Sequence, residues 1–171
     1  RVAVVHRAPF AGFVQHQIAL AEREQIVLSR FEVSATPNPS ELKAALRDAK
    51  LHSDALWILN DDRLLSQFLI AEGWLPALNE RPWRPTIVGA ASLVSAVQSF
   101  GTFAVLPDHT ALGEQTASLV MDLESSDWEL PQSCEAQEPL STTTTVDLTQ
   151  AEERFSLRKD ALAQIDRIVQ E

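Results

Sequence analysis

The chain has 171 residues, one ordinary domain's worth, and 45% of them are hydrophobic, enough to bury a single core and to exclude a disordered segment. Fourteen Lys and Arg against twenty-four Asp and Glu leave a formal charge of −10 with the signs interspersed, so no basic stripe is available to neutralise the phosphates of a nucleic acid. The same acidity favours solubility and works against unassisted contact with anionic lipid.

Arg1-Val-Ala-Val-Val5 is a short apolar run rich in β-branched residues and reads as a strand, as does Gln25 to Val33. Between them Phe13, Gln17, Leu20 and Ala21 recur at helical spacing. Ser40 is a good helix N-cap residue, and Leu42, Ala45, Leu46 and Ala49 follow at i, i+3, i+4 and i+7, so a second helix is expected there. Asp54 to Leu59 is apolar on both faces, as a central parallel strand should be.

Asp61 or Asp62 can cap the helix expected next, with Leu64, Leu65, Phe68 and Leu69 as its buried face and Gly73 at its end. A turn-rich stretch from Pro76 to Pro85 leads to a fourth strand at Thr86 to Ala90, and Gly101 to Leu106 is the fifth. Strands alternating with helices imply a parallel sheet with helices on both faces. The expected fold is α/β: a three-layer α/β/α open parallel sheet of about five strands, flavodoxin-like.

After Pro107 a long amphipathic helix presents Leu112, Thr116, Leu119, Val120 and Leu123 on one side and ends near Trp128. Glu129 to Pro139 reads as a crossing loop and Ser141 to Val146 as an edge strand. Thr149 to Glu152 is a capping box opening a short helix, and Ala161, Ile165, Ile168 and Val169 line a final one. The whole is expected to be a single domain, 1–171: core βα units at 1–92, the fifth strand and long helix at 93–128, and the crossing loop, edge strand and closing helices at 129–171.

Cys134, the single cysteine, cannot form an internal disulfide, and Gln132, Ser133, Glu135 and Ala136 give it no basic neighbour, so it reads as an inert loop thiol. The chain starts at Arg1 rather than Met and holds no apolar run long enough for a membrane span. A signal or anchor is therefore expected to have been removed or to lie upstream.

Three segments in order carry a resemblance: Asp54-Ala-Leu-Trp-Ile-Leu-Asn60-Asp-Asp62, Pro107-Asp108-His-Thr-Ala-Leu-Gly113 and Val146-Asp-Leu-Thr-Gln-Ala151. With the proline-bearing loop between the last two, they resemble the second lobe and closing segment of the periplasmic substrate-binding proteins of ABC transporters, in the type I family whose members include binders of aromatic amino acids. The resemblance runs from about Arg1 to Glu171. It departs from the family pattern where Asp147 replaces an Asn, where the turn before the fifth strand is stretched over Leu93 to Gly101, and where His109 follows the Pro-Asp pair in place of an aromatic.

That resemblance implies an exported, periplasmic or extracytoplasmic protein, lipid-anchored in some cases. It would bind a small solute such as an amino acid, make or break no bond, and hand the solute to an ABC permease or report it to a sensor. No cofactor or metal is implied. Capture by hinge closure needs two lobes, and a first lobe is not among these residues. A second hypothesis follows: a stand-alone sensory or interaction domain that has lost solute transport, in which Leu112 to Leu123 folds back on the sheet or packs on a second copy as a homodimer.

In open parallel sheets ligands sit beyond the carboxyl ends of the strands. That rule nominates the loops at Arg7, Pro9 and Phe10, at Ser34 and Ala35, at Asn60, Asp61 and Asp62, at Ser92, and at Asp108. The family carries an acidic residue after the third strand of this lobe and a wall from the loop after the first, which here are Asp61 or its neighbours and Arg7 to Phe10. A zwitterion would pair its ammonium with Asp61 and its carboxylate with Arg7, with Phe10 as an apolar face. The competing readings are that Asp61 and Asp108 are helix caps and that Arg7 is a solvated loop residue.

Other chemistry has no foothold. His6, His16, His52 and His109 are scattered without zinc-site spacing and read as surface residues. The five glycines stand singly, so no phosphate-cradling loop or Gly-x-Ser-x-Gly elbow exists. Asp61 and Asp62 lack the lysine and the second acidic pair of a receiver-type site. Trp57 reads as core, whereas Trp74, Trp83 and Trp128 fall at helix ends and in a proline-rich loop, where packing or a partner surface is the usual role.

Overall fold

The computed structural model describes residues 1–94, 100–130, 137–155 and 159–170. Cys134 and most of the stretched turn before the fifth strand lie outside the described residues. The chain runs β1 (Val2–Arg7), α1 (Ala11–Arg23), β2 (Leu28–Val33), α2 (Pro39–His52) and β3 (Ala55–Ile58). A broken helix follows, made of α3 (Gln67–Leu69), a π-helical turn at Ile70–Trp74 and α4 (Leu75–Asn79). Then come β4 (Thr86–Val88), β5 (Phe103–Pro107), α5 (His109–Ser125), β6 (Thr142–Asp147), α6 (Leu148–Arg154) and β7 (Arg167–Val169).

The strands form one sheet in the order β2-β1-β3-β4-β5-β6-β7. β2, β1, β3, β4 and β5 are mutually parallel, β6 is antiparallel to β5, and β7 is parallel to β6. The fold is α/β with a mostly parallel sheet, and the five expected parallel strands are all present. The closing segment departs from expectation. Thr142–Asp147 is an internal strand, and the edge is β7, formed by residues expected to be helical: Ile168 and Val169 lie in β7, preceded by a 3-10 helix at Lys159–Gln164. Ile165, Ile168 and Val169 suit either period in so short a run, and the open backbone edge of β6 decides between them.

Most of the core lies between the sheet and α2, α3 and α4. Ala3 and Val5 of β1, Leu56 and Ile58 of β3, Val88 of β4 and Ala104 of β5 meet Leu42, Leu46 and Ala49 of α2 together with Leu64, Leu69, Trp74 and Leu78. A smaller cluster on the opposite face joins Val4, Val14 and Leu59, flanked by Ile18, Leu28 and Trp57. Strand alternation explains the division, since Leu56 and Ile58 enter one face while Trp57 must enter the other.

Capping sets the helix starts. Asn38, rather than Ser40, caps α2 by accepting from Glu41 N at 2.9 Å, with Pro39 in the first turn. Asp147, rather than Thr149, caps α6 by accepting from Gln150 N at 3.0 Å. After β3 the helix begins only at Gln67, with Ser66 as its cap, and Gly73 sits within the π turn instead of ending the helix. A Cβ at Gly73 would lie 2.9 Å from Leu42 Cδ2, so close packing on α2 fixes that glycine. Phe68 of the expected buried face is exposed, and Trp74 is buried with Nε1 donating to Leu64 O at 2.8 Å.

Two further features lock this end of the domain. Lys50 is 1% exposed and donates from Nζ to the carbonyls of Ala77, at 2.5 Å, and Glu80, closing the C-terminal turn of α4. Burial pushes its pKa below the ordinary lysine value despite the nearby Glu80 carboxylate. Trp83 donates to Asn79 O at 3.1 Å and lies under the guanidinium groups of Arg81 and Arg154, which tie the turn before β4 to α6. Trp74 and Trp83 therefore do not form a joint exposed surface.

The long helix α5 stands clear of the core. None of its residues is buried, and Leu112, Leu119, Val120 and Met121 are all exposed.

Candidate functional site

The carboxyl ends of β1 and β3 are fastened by a buried ion pair. Arg7 Nε donates to Asp61 Oδ2 at 2.7 Å and Nη2 to Asp61 Oδ1 at 2.8 Å, a two-pronged geometry, while Nη1 donates to Ala35 O at 3.0 Å in the loop after β2. One guanidinium thus holds three strand-end loops together. Asp61 Oδ1 also accepts from the amides of Arg63 at 3.0 Å and Leu64 at 3.4 Å. Burial alone would raise the Asp61 pKa, but the Arg7 hydrogen bonds, the two amides and the Arg7 charge outweigh it and hold the carboxyl below its usual range. Hydrogen bonding to Asp61 raises the Arg7 pKa in turn.

The sequence places Arg7 and Asp61 at opposite ends of a zwitterionic ligand as an expectation. In the structure each holds the other, and Arg7 is a buried strand terminus rather than a solvated loop residue. Asp61 organises the turn at Arg63 and Leu64 but caps no helix, since the next helix begins at Gln67 with Ser66 as its cap. Asp62, its side chain 93% exposed, stands 4.0 Å from Arg7 Nη2.

Phe10 ends a 3-10 turn, Ala8–Phe10, whose start is marked by Pro9, and the Arg7 guanidinium lies 5.4 Å from the Phe10 ring centroid. The ion pair therefore backs one wall of a cavity of about 520 Å³, lined by Phe10, Phe13, Trp57, Ile58, Leu59, Asn60, Gly89 and Val105. Phe13 and Trp57 meet at 6.3 Å between centroids with a 48° tilt, forming an aromatic corner. Asn60 supplies the one amide side chain of this lining, and its Nδ2 donates to Gly89 O at 3.1 Å.

The cavity follows from uneven coverage of the sheet. α1 packs over β1 and β2, no α5 residue lines the cavity, and the same face of β3, β4 and β5 is left with Trp57 half-buried and Val105 exposed. Its volume and its mix of aromatic walls with one amide suit a small organic molecule.

Of the expected site residues, Arg7, Phe10, Asp61 and Asp62 come together, and Asn60 adjoins them in the cavity wall. Pro9 is exposed and shapes the turn. Ser92 is exposed in a 3-10 helix at Ala91–Val94, and among the described residues no hydrogen bond or ion pair joins it to the group. Asp108 caps α5, accepting from Thr110 N at 2.9 Å and Ala111 N at 3.3 Å. Phe13, Trp57, Gly89 and Val105 were not foreseen as lining residues. The signal for Trp57 was the alternation of β3, which turns it away from Leu56 and Ile58.

His6 also differs from expectation. It is fully buried in β1, its Nδ1 is 3.0 Å from Arg7 O, and its Nε2 meets no hydrogen-bond partner among the described residues.

No family model and no curated protein matches the chain. Solved structures do. One is an ABC domain in complex with L-Trp from Streptococcus pneumonia, with 16% identity and a TM-score of 0.60 over 98% of this chain and 56% of that one. A second is a conserved domain protein from Vibrio cholerae, with 22% identity and a TM-score of 0.61 over 98% of this chain and 54% of that one. A third is the ligand-free, open form of a substrate binding protein with adhesive properties from Clostridium difficile, with 11% identity and a TM-score of 0.62 over 99% and 54%. The chain spans about half the length of these structures, and it has the fold of one lobe of a substrate-binding protein.

Proposed function

We propose that the chain is a solute-capturing lobe of an exported ABC-transporter substrate-binding protein, and that it acts by binding a small molecule without making or breaking a bond. The observation that carries this reading is the aromatic-walled cavity at the carboxyl ends of β3 and β4, the place where open parallel sheets receive ligands. The Arg7–Asp61 pair serves it from behind by fixing the strand ends and presenting Phe10. An ABC permease or a sensor is the proposed recipient of the solute, and the periplasm or cell exterior the proposed location.

Native mass spectrometry of the natural protein, as purified from its own cell, tests the reading. One small-molecule adduct per chain supports it; a protein that carries none and takes up none from a library of small metabolites overturns it.

A second reading, a protein-interaction domain and possible homodimer, is favoured by one observation: α5 exposes Leu112, Leu119, Val120 and Met121, an apolar face of the kind that contacts protein. The same spectrum reads copy number, and a dimer without adduct would select it.

A further inference from the structure

Resting on the solute-binding reading above, we infer that Asn60 and Gly89 form a specificity device: a fixed hydrogen-bond acceptor at the cavity wall that selects planar rings bearing an N–H group. The amide orientation follows from chemistry. The atom of Asn60 that faces Gly89 O must be a donor, because a carbonyl only accepts. Nδ2 is therefore committed to the backbone. Oδ1 is left without a hydrogen-bond partner among the described residues, on a side chain that lines the cavity.

Gly89 is what permits this arrangement. A Cβ at position 89 would lie 2.7 Å from Asn60 Nδ2, 3.1 Å from Oδ1 and 3.2 Å from Cγ, so any side chain there dislodges the amide. The backbone at Gly89 thus plays two parts: its carbonyl orients the amide, and its missing side chain makes room for it.

The other walls define what is selected. Phe10, Phe13, Ile58, Leu59 and Val105 are apolar, Trp57 adds an indole that is apolar but for its N–H, and the aromatic corner offers ring faces for stacking. The nearby formal charges of Arg7 and Asp61 satisfy each other, whereas the neighbouring Asp62 carboxylate is exposed to solvent. A ring N–H pairs with Asn60 Oδ1. A ring oxygen at the same place sets lone pair against lone pair and loses the bond.

Isothermal titration of the natural protein with indole and with benzofuran, which replaces the ring N–H by oxygen at nearly the same shape, tests this pair. Indole is expected to bind roughly 3- to 10-fold more tightly, the effect of one net hydrogen bond. Asn60→Leu should erase the preference, so that the two rings bind alike, and Gly89→Ala should reduce the preference by displacing the amide. Asn60 is exposed, and melting temperatures of the variants check that they fold. Equal affinity for the two rings in the wild type, or a preference that survives Asn60→Leu, overturns the inference while leaving solute binding intact. Failure of both rings to bind removes the cavity reading itself, and the inference with it.

Discussion

Arg7 and Asp61 close a two-pronged ion pair, at 2.7 and 2.8 Å, across the carboxyl ends of two adjacent parallel strands. Arg7 also reaches the loop after β2 through Ala35 O, so one side chain sets the relative positions of three strand-end loops, two of which supply walls of the proposed site. Both partners are buried, Arg7 at 7% and Asp61 at 2% exposure, which makes the pair unforgiving of the loss of either member.

Breaking the pair from one side strands a buried charge. Arg7→Met or Asp61→Leu alone is expected to cost about 3–5 kcal/mol. The double variant should be less destabilised than the sum of the two, because no unpaired charge remains. Urea unfolding of the four proteins in the cycle measures this, and additive losses would show that the residues act separately.

Acid should weaken the fold through the same carboxylate. The folded-state pKa of Asp61 is depressed, so its contribution is fully present above the unfolded value of about 3.9 and is lost as pH falls through the folded value. Stability should therefore decline below about pH 4, and Asp61→Asn should flatten that part of the profile. A melting-temperature series from pH 7 to pH 2.5 on both proteins is the check; parallel curves would contradict it.

The five parallel strands and the first two helices were legible because their signals are local: β-branched apolar runs, helical spacing and turn residues between them. The residues after Asp147 were not. Ile168 and Val169 take strand form because an unpaired edge of β6 lies beside them, and no local pattern encodes that edge. At the candidate site, the strand-end rule nominated Arg7, Phe10, Asn60 and Asp61 by topology. It could not show that Arg7 and Asp61 bond to each other, since that depends on the register of β1 against β3. Phe13 and Trp57 were hidden for a related reason: helical spacing and strand alternation say which face a residue takes, not whether a neighbouring helix will cover it.

Gly101 sits where no side chain fits. A Cβ there would lie 2.8 Å from Val88 Cγ2 and 2.9 Å from the carbonyl oxygen of Leu93, and Gly101 N donates to that same carbonyl at 2.7 Å. Gly101→Ala should destabilise the protein by about 1–3 kcal/mol, read as a lower urea midpoint. An unchanged midpoint would show that the turn before β5 yields freely.

Trp74 is held by its hydrogen bond to Leu64 O and by an edge-on contact with Phe100, at 5.6 Å between centroids. Trp74→Phe keeps an aromatic but leaves a buried carbonyl unpaired, at an expected cost of about 1–3 kcal/mol. Chemical denaturation checks the size of the loss, and a neutral result would mean that Leu64 O finds another donor.

The cavity walled by Phe10, Phe13 and Trp57 is the proposed seat of a small molecule. Isothermal titration of the natural protein with a panel of neutral aromatic compounds, repeated on Phe13→Ala, tests it most directly, because Phe13 is 49% exposed and its truncation should leave the fold intact. The expected result is saturable binding at one site per chain, weakened about tenfold in the variant by the loss of one aromatic wall. Binding that is unaffected by Phe13→Ala, or absent from the wild type, would show that this cavity is not the solute site.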